Sequence, residues 1–414
     1  MEHRFDIAVV GAGMAGRLMA LALDHAGFSV VQIDRAPGPM IPNDGRTTAI
    51  AYAGIRLLKR LGLWEELGPK AAFITDILVS NGQPHGRFRK GGLTGGQLHF
   101  PATLLGENDP SQEEPALGAI LENKDLLGAF LNGTERSSIT QIYGRAVAAL
   151  DPHTSGTTVT LDDGDSVEAS LVVACDGKGS PLRSLKGLQV IRWNYRQKAI
   201  IFNIAHQRPH GGVAHEIFYP EGPFAILPMP NNQSSIVWTE RKDTADSYLA
   251  LSNEAFLAAA RERVGNHLGD FDIVTPRQSY PLSLLYAPKL HAERFVLAGD
   301  AAHGIHPIAG QGFNLGIKDI AALVDVLTEA QRAGLDIGHG TVLGEYDRWR
   351  RFDGAALSIG TDVLNRLFSN NWGPLKHARG LGLGVVQRID PLRCFFMKVS
   401  GSDLGQLPSL MQPL

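Results

Sequence analysis

The chain has 414 residues, 44% of them hydrophobic and 20% charged, with a formal net charge of -3 at pH 7. This supports one large domain or two interleaved ones, and it excludes both a mostly disordered chain and a surface built to coat nucleic acid. The two cysteines, Cys175 and Cys394, exclude a disulfide framework and any all-cysteine zinc or iron–sulfur site, and they point to a reducing compartment.

Residues 5–10 (FDIAVV) read as a short buried strand, GAGMAG at 11–16 as a glycine turn, RLMALALDHAG as a helix ending at Gly27, and FSVVQID at 28–34 as a second strand. Strand, turn, helix and strand in this order form a βαβ unit and imply a parallel sheet. Residues 44–68 are expected to be helical, 73–105 Gly-rich and strand-like, and 122–132 helical. Strands are expected at 157–161 and 167–175, and an antiparallel sheet over 190–280, where turn signals interrupt alternating residues. RFVLAGDAAHG (294–304) reads as a strand entering a turn, 312–332 as a long amphipathic helix, and the rest as mainly helical. The βαβ signals are far apart, so one sheet interrupted by insertions is expected.

The N-terminal sequence shows no leader pattern, and no stretch reaches the roughly 18 uninterrupted apolar residues of a membrane span. A cytoplasmic protein is expected, with peripheral contact at the inner membrane as a variant.

Glycine makes up 47 residues, about 11% against a usual value of roughly 7%, and it concentrates where chemistry is expected. Gly11 permits the tight turn, Gly13 lets a pyrophosphate approach the backbone, and Gly16 lets helix and strand pack closely. Asp34 ends the next strand, where a carboxylate can take ribose hydroxyls. The pattern occurs once, so one tightly bound dinucleotide is expected and any second cofactor must visit transiently. Two further strand-end constellations follow: VVACDGKGSPLR (172–183), with Asp176, Gly177 and Arg183, and FVLAGDAAHGIHPIAGQGFNLGIKDIAALVDVL (295–327). In the latter Asp300 can accept a ribityl hydroxyl, and the helix starting near Gly312 aims its positive end into the loop.

GxGxxG, DG-x-x-S-x-x-R and GD-A-A-H in this order resemble the p-hydroxybenzoate-hydroxylase-like group A flavoprotein monooxygenases. DGRTTAIAYAGIRLLKRLGLW (44–64), LENKDL (121–126), GPFAILPMP (222–230), HPIAGQGFNLGIKDIAALVDVL (306–327), YDRWRRFD (346–353) and LFSN (367–370) narrow the resemblance to the ubiquinone-biosynthesis FAD-dependent hydroxylase family.

The resemblance implies an α/β fold: an FAD-binding Rossmann-like (GR2-type) domain (1–72, 101–185, 280–345), an inserted antiparallel β-sheet substrate domain (73–100, 186–279) and a helical C-terminal region (346–414). It implies tightly bound FAD, transient NADPH or NADH, and hydroxylation of a polyprenylated phenol by O2 through a C4a-hydroperoxyflavin. By position, Gly11, Gly13, Gly16 and Asp34 would hold the AMP half, with Met14, Ala15 and Arg35 beside them. Arg46 would pair with the pyrophosphate. Asp176, Gly177 and Arg183 would serve FAD and the passing nicotinamide, and Gly299 and Asp300 the ribityl chain. Pro307, Gly310, Gln311, Gly312, Phe313 and Asn314 would line the flavin ring, with no acid or base assigned. Lys124 stands where the family usually has arginine, keeping the charge but losing the fork.

Other side chains have plainer readings. His303 and His306 are expected to be structural rather than metal-binding, Cys175 a small buried hydrophobe, and Arg350 and Arg351 a solvated helix face. Phe218, Tyr219, Phe224 and Trp238 either line an apolar cavity or pack the core of a sheet. Segment 376–400 carries five basic residues against Asp390, a net of +4; a membrane surface or a quinone-biosynthesis complex would suit it. Competing functions are a hydroxylase of a small aromatic, a flavin halogenase, a prenyl reductase, and a non-catalytic lipid-binding relative of the fold. The halogenase WxWxIP pattern is absent, Trp193 standing in RWNYRQ.

Overall fold

The computed structural model describes residues 4–42, 44–81, 97–105, 116–304, 311–351, 388–391, 393–394, 397 and 406–413. The strand Arg4–Val10 pairs in parallel with Val30–Asp34 on one side and Ser166–Ala174 on the other. Thr140–Tyr143 and Phe295–Leu297 extend this parallel sheet outward. Ile7 to Val10, Val30 to Ile33 and Leu171 to Ala174 are buried, because a parallel sheet is covered on both faces and its strands are apolar throughout. The helix Met14–His25 packs Leu18 through Leu23 into this core and ends where Gly27 turns with a φ of 91°. The helix Gln311–Arg332 packs Ile317, Ile320 and Leu323 into the same core.

A nine-stranded sheet forms the second layer system, including Ile191–His206, Val213–Tyr219, Gly222–Met229, Gln233–Arg241 and Gln278–Tyr286. The helices Lys242–Leu249 and Asn253–Val264 cover one of its faces, burying Phe202, Phe224, Trp238 and Phe256. A small three-stranded sheet, Thr47–Ala51, Gly118–Glu122 and Ala72–Ile74, stands between the two larger ones. Ile74 and Ile120 from it pack on Ala214 and Met229 of the nine-stranded sheet.

Several expectations change. The helix expected over 44–68 begins only at Tyr52, because Thr47–Ala51 pairs with Gly118–Glu122; tertiary pairing overrides local pattern there. The helices at 242–249 and 253–264 interrupt what read as continuous antiparallel sheet. The boundary expected at 279/280 falls inside the strand Gln278–Tyr286, which belongs to the nine-stranded sheet. Residues 340–351 are helical as expected, but they are no separate layer: Tyr346 is fully buried in the Rossmann core, and Leu410 and Met411 join it. Arg350 is also fully buried rather than solvated, whereas Arg351 is exposed. Tyr219, Phe224 and Trp238 pack the helix-covered core and so do not line a cavity.

Candidate FAD site

The glycine turn is shaped by close backbone approach. A Cβ on Gly11 would sit 2.4 Å from the Cys175 carbonyl oxygen, and one on Gly16 would sit 1.9 Å from the Gly11 carbonyl oxygen. Gly11 also adopts a φ of 109°. A Cβ on Gly13, by contrast, would meet nothing within 4 Å, so the turn opens on one side at the start of the helix Met14–His25. That opening has free N–H groups and a positive helix end, the features that bind pyrophosphate. Asp34, at the end of its strand, accepts from the backbone N–H of Ala12 and from that of Ala36 (2.7 Å). Its carboxylate is thereby held against the turn. Arg35 beside it is exposed.

The second strand end brings Asp176 next to this turn. Its Oδ2 accepts from the Leu182 N–H (3.2 Å), while its Oδ1 is buried with no hydrogen-bond partner. Burial raises the Asp176 carboxyl above its ordinary pKa. Gly177 supplies the turn with a φ of 85°, and Ser180 Oγ caps the following short helix at the Arg183 N–H (3.0 Å).

The third strand end carries Gly299, with a φ of 61°, and Asp300. Asp300 is exposed, yet desolvation by the protein around it raises its carboxyl pKa, against the pull of Lys178 and His303. Arg183 braces the second and third segments together, donating to the Ala301 carbonyl (2.7 Å) and the Lys178 carbonyl (3.1 Å). It is 1% exposed, its guanidinium engaged by these two carbonyls.

Asp319 escaped sequence reading. Fully buried on the helix Gln311–Arg332, it accepts from the Gly299 N–H (3.1 Å) and from Arg350 Nε (2.8 Å), with His303 Nε2 3.6 Å away. His303 and Arg350 hold the Asp319 carboxyl below its ordinary pKa despite burial. The signal was a charge, Asp319, set among the apolar residues of an amphipathic helix. Asn314 also has an anchoring role: its side chain accepts from the Ala51 N–H (2.8 Å) and donates to the Ala49 carbonyl (2.8 Å), tying helix to strand. Phe313 packs against the core.

Arg46 bonds Asp44 (2.6 Å) and lies over the Tyr280 ring at 5.3 Å, at the junction with the nine-stranded sheet. Lys124 pairs with Glu122 (2.8 Å), which raises its pKa. Gly312 starts the long helix with open space at its Cβ position. Pro307, Gly310 and His306 lie outside the described residues, and only the backbone of Gln311 is described.

The open glycine turn and the buried Oδ1 of Asp176, without a partner among the described residues, fit a dinucleotide with hydroxyls to donate, so the fold and site define a dinucleotide-binding protein of the Rossmann type. Residues 4–339 match the FAD binding domain family. The chain is 42% identical over 398 residues to the ubiquinone hydroxylase UbiL of Rhodospirillum rubrum, covering 95% of this chain and 88% of that protein. It is 31% identical to the 3-demethoxyubiquinol 3-hydroxylase of Escherichia coli, covering 94% and 96%. In fold it is similar to p-nitrophenol 4-monooxygenase PnpA of Pseudomonas putida, with a TM-score of 0.79, 18% identity and coverage of 97% and 99%. The chain belongs to the FAD-dependent hydroxylase family of ubiquinone biosynthesis, whose cofactor is FAD and whose reductant is NADPH or NADH.

Proposed function

We propose that this chain hydroxylates the aromatic ring of a polyprenylated phenol in ubiquinone biosynthesis, consuming O2 and NADPH or NADH. The observation that carries the reading is the 42% identity to a ubiquinone hydroxylase across 95% of the chain. The open dinucleotide cradle supports it.

FAD, when bound, supplies the hydride acceptance and oxygen activation that side chains cannot. The protein binds and orients it. The turn at 11–16 and the helix behind it hold pyrophosphate, Asp34 takes the ribose, and Asp176 and Asp300 accept cofactor hydroxyls. The N-terminus of the helix Gln311–Arg332 offers preorganised backbone donors to negative charge on the ring. Asp319, fixed by Arg350, holds the Gly299 turn in place for Asp300.

Among the described residues no helix is long and apolar enough to cross a membrane. Burial of each CH₂ of a prenyl tail is worth about 0.8 kcal/mol, so the substrate must be met at a bilayer or a lipid-carrying partner. The net +4 segment 376–400 suits an anionic membrane or a quinone-biosynthesis complex; most of it lies outside the described residues. Arg393 donates to the His99 carbonyl (3.1 Å), joining that segment to the nine-stranded sheet. Truncation after Thr361 would also remove Leu410 and Met411 from the Rossmann core, so it tests folding rather than delivery. Charge reversal at Lys376 and Arg379 is the cleaner test, and it should abolish salt-sensitive binding to anionic vesicles.

The purified flavoprotein, given NADPH or NADH, O2 and a prenylated phenol, should return a product one hydroxyl richer, identified by mass spectrometry. Turnover of short phenols alone would favour the small-aromatic alternative. Asp300→Ala should weaken FAD binding by about 1.5–3 kcal/mol, the worth of a hydrogen bond to a charged group, and yield a paler protein. Full flavin occupancy in that variant would remove Asp300 from the site.

A further inference from the structure

The face of the nine-stranded sheet turned away from its helices is crossed by successive rows of side chains. The row Asn203, Ser235, Leu227 and Ala214 is covered. Asn203 Nδ2 donates to the Gly45 carbonyl (2.9 Å), Thr47 Oγ1 to Ser235 Oγ (2.9 Å), and Ala214 packs on Ile74 and Ile120. The adjoining row reads Ile201, Val237, Ala225, Glu216 and Val79. Here Ile201, Val237 and Val79 remain half-buried although they stand in the middle of a sheet. They are apolar side chains that no described element fully covers. The row ends at Gln278, opposite Ile201, and Tyr280 on the same strand, opposite Ala199, is the ring under Arg46.

Glu216 is the one carboxylate in that row. It is 8% exposed, and no hydrogen bond or ion pair holds it among the described residues. Its described neighbours on this face, Ala225, Val79, Ala214 and Phe218, carry no charge. The charged groups of the same face stand farther off, Arg241 at a strand end and Arg46 across Tyr280. A carboxyl in so apolar a setting, without a protein partner, costs free energy unless water or a ligand satisfies it.

We propose that Glu216 is the group that receives the hydroxyl of the aromatic substrate, accepting its proton as the ring is attacked. The phenol O–H bond breaks, the proton passes to the Glu216 carboxylate, and the electron pair stays on the phenolate oxygen, where it enriches the ring carbons that take up oxygen. The oxidant is the O2 and reduced FAD of the activity already proposed, and the inference rests on that reading. The desolvated site supports it, since burial pushes the Glu216 carboxyl up to about 8, nearer to a phenol and better suited to exchange a proton with it.

The test compares wild type, Glu216→Gln and Glu216→Asp as flavoproteins. Binding of a prenylated phenol and of its methyl ether is followed by flavin fluorescence, and kcat/KM is followed against pH. Wild type should bind the phenol about tenfold or more tightly than the ether. Glu216→Gln should keep its flavin, lose most of that discrimination, and lose about 100-fold or more in kcat/KM together with the rise of activity as the carboxyl ionises. Glu216→Asp should retain the rise. Equal binding of phenol and ether by wild type, or wild-type discrimination and pH profile in Glu216→Gln, would overturn the assignment. Discrimination that depends on Glu216 in a protein that hydroxylates no phenol would leave Glu216 as the hydroxyl receptor and overturn the proposed reaction instead.

Discussion

On the helix-covered face of the nine-stranded sheet, Glu240 is fully buried, and its Oε1 accepts from Trp238 Nε1 (2.9 Å) and Arg263 (2.8 Å). On the opposite face Glu216 is almost as buried and, among the described residues, has neither kind of partner. Burial raises the pKa of both, but at Glu240 the Trp238 donor and the Arg263 charge oppose it. The Arg263 guanidinium is itself fixed over the Tyr219 ring at 4.3 Å. The difference teaches where to look for function. A paired buried carboxylate holds a structure together, whereas an unpaired one is kept for something the protein binds.

The largest expected effect breaks the paired side. Arg263→Ala leaves Glu240 as an uncompensated buried charge, and removing one partner of such a pair costs about 3–5 kcal/mol. Denaturant unfolding should show this as a lower midpoint. An unchanged midpoint would make the two faces equivalent.

The next effect sharpens the unsatisfied side through pH. The folded pKa of Glu216, about 8, lies above its ordinary 4.5, so the folded state holds the proton more tightly than the unfolded chain. Its contribution to stability is fully present below the ordinary value and is lost as pH rises toward and through 8. Wild type should therefore lose stability relative to Glu216→Gln between about pH 4.5 and pH 8, by a few kcal/mol in order of magnitude. Parallel stability curves for the two proteins would contradict this.

Trp238→Phe removes one donor from Glu240 while keeping most of the apolar volume. About 1–3 kcal/mol should be lost, whereas Ala225 beside Glu216 has no analogous bond to lose. The smallest effect belongs to the rim of the helix-covered face, where Lys198 pairs with the half-exposed Asp246. Lys198→Ala should cost about 1 kcal/mol or less and be reduced further by salt.

The sequence by itself determined the cofactor half of this protein. Gly11, Gly13, Gly16 and Asp34, and the strand ends at Asp176 and Asp300, are local: each turn needs particular residues at fixed spacing, and the apolar strands beside them declare their burial. Tertiary structure alone decided the rest. Thr47–Ala51 became a strand because Gly118–Glu122 lies alongside it. Arg350 left the solvent because Asp319, a turn-bracing carboxylate on another helix, required a cation in the core. The faces of Glu216 and Glu240 depend on the register of strands distant in sequence, and a shift of one residue would exchange inside for outside. Alternation along a strand shows that two faces exist, but only the helices packed on one of them decide which glutamate is paired and which is not.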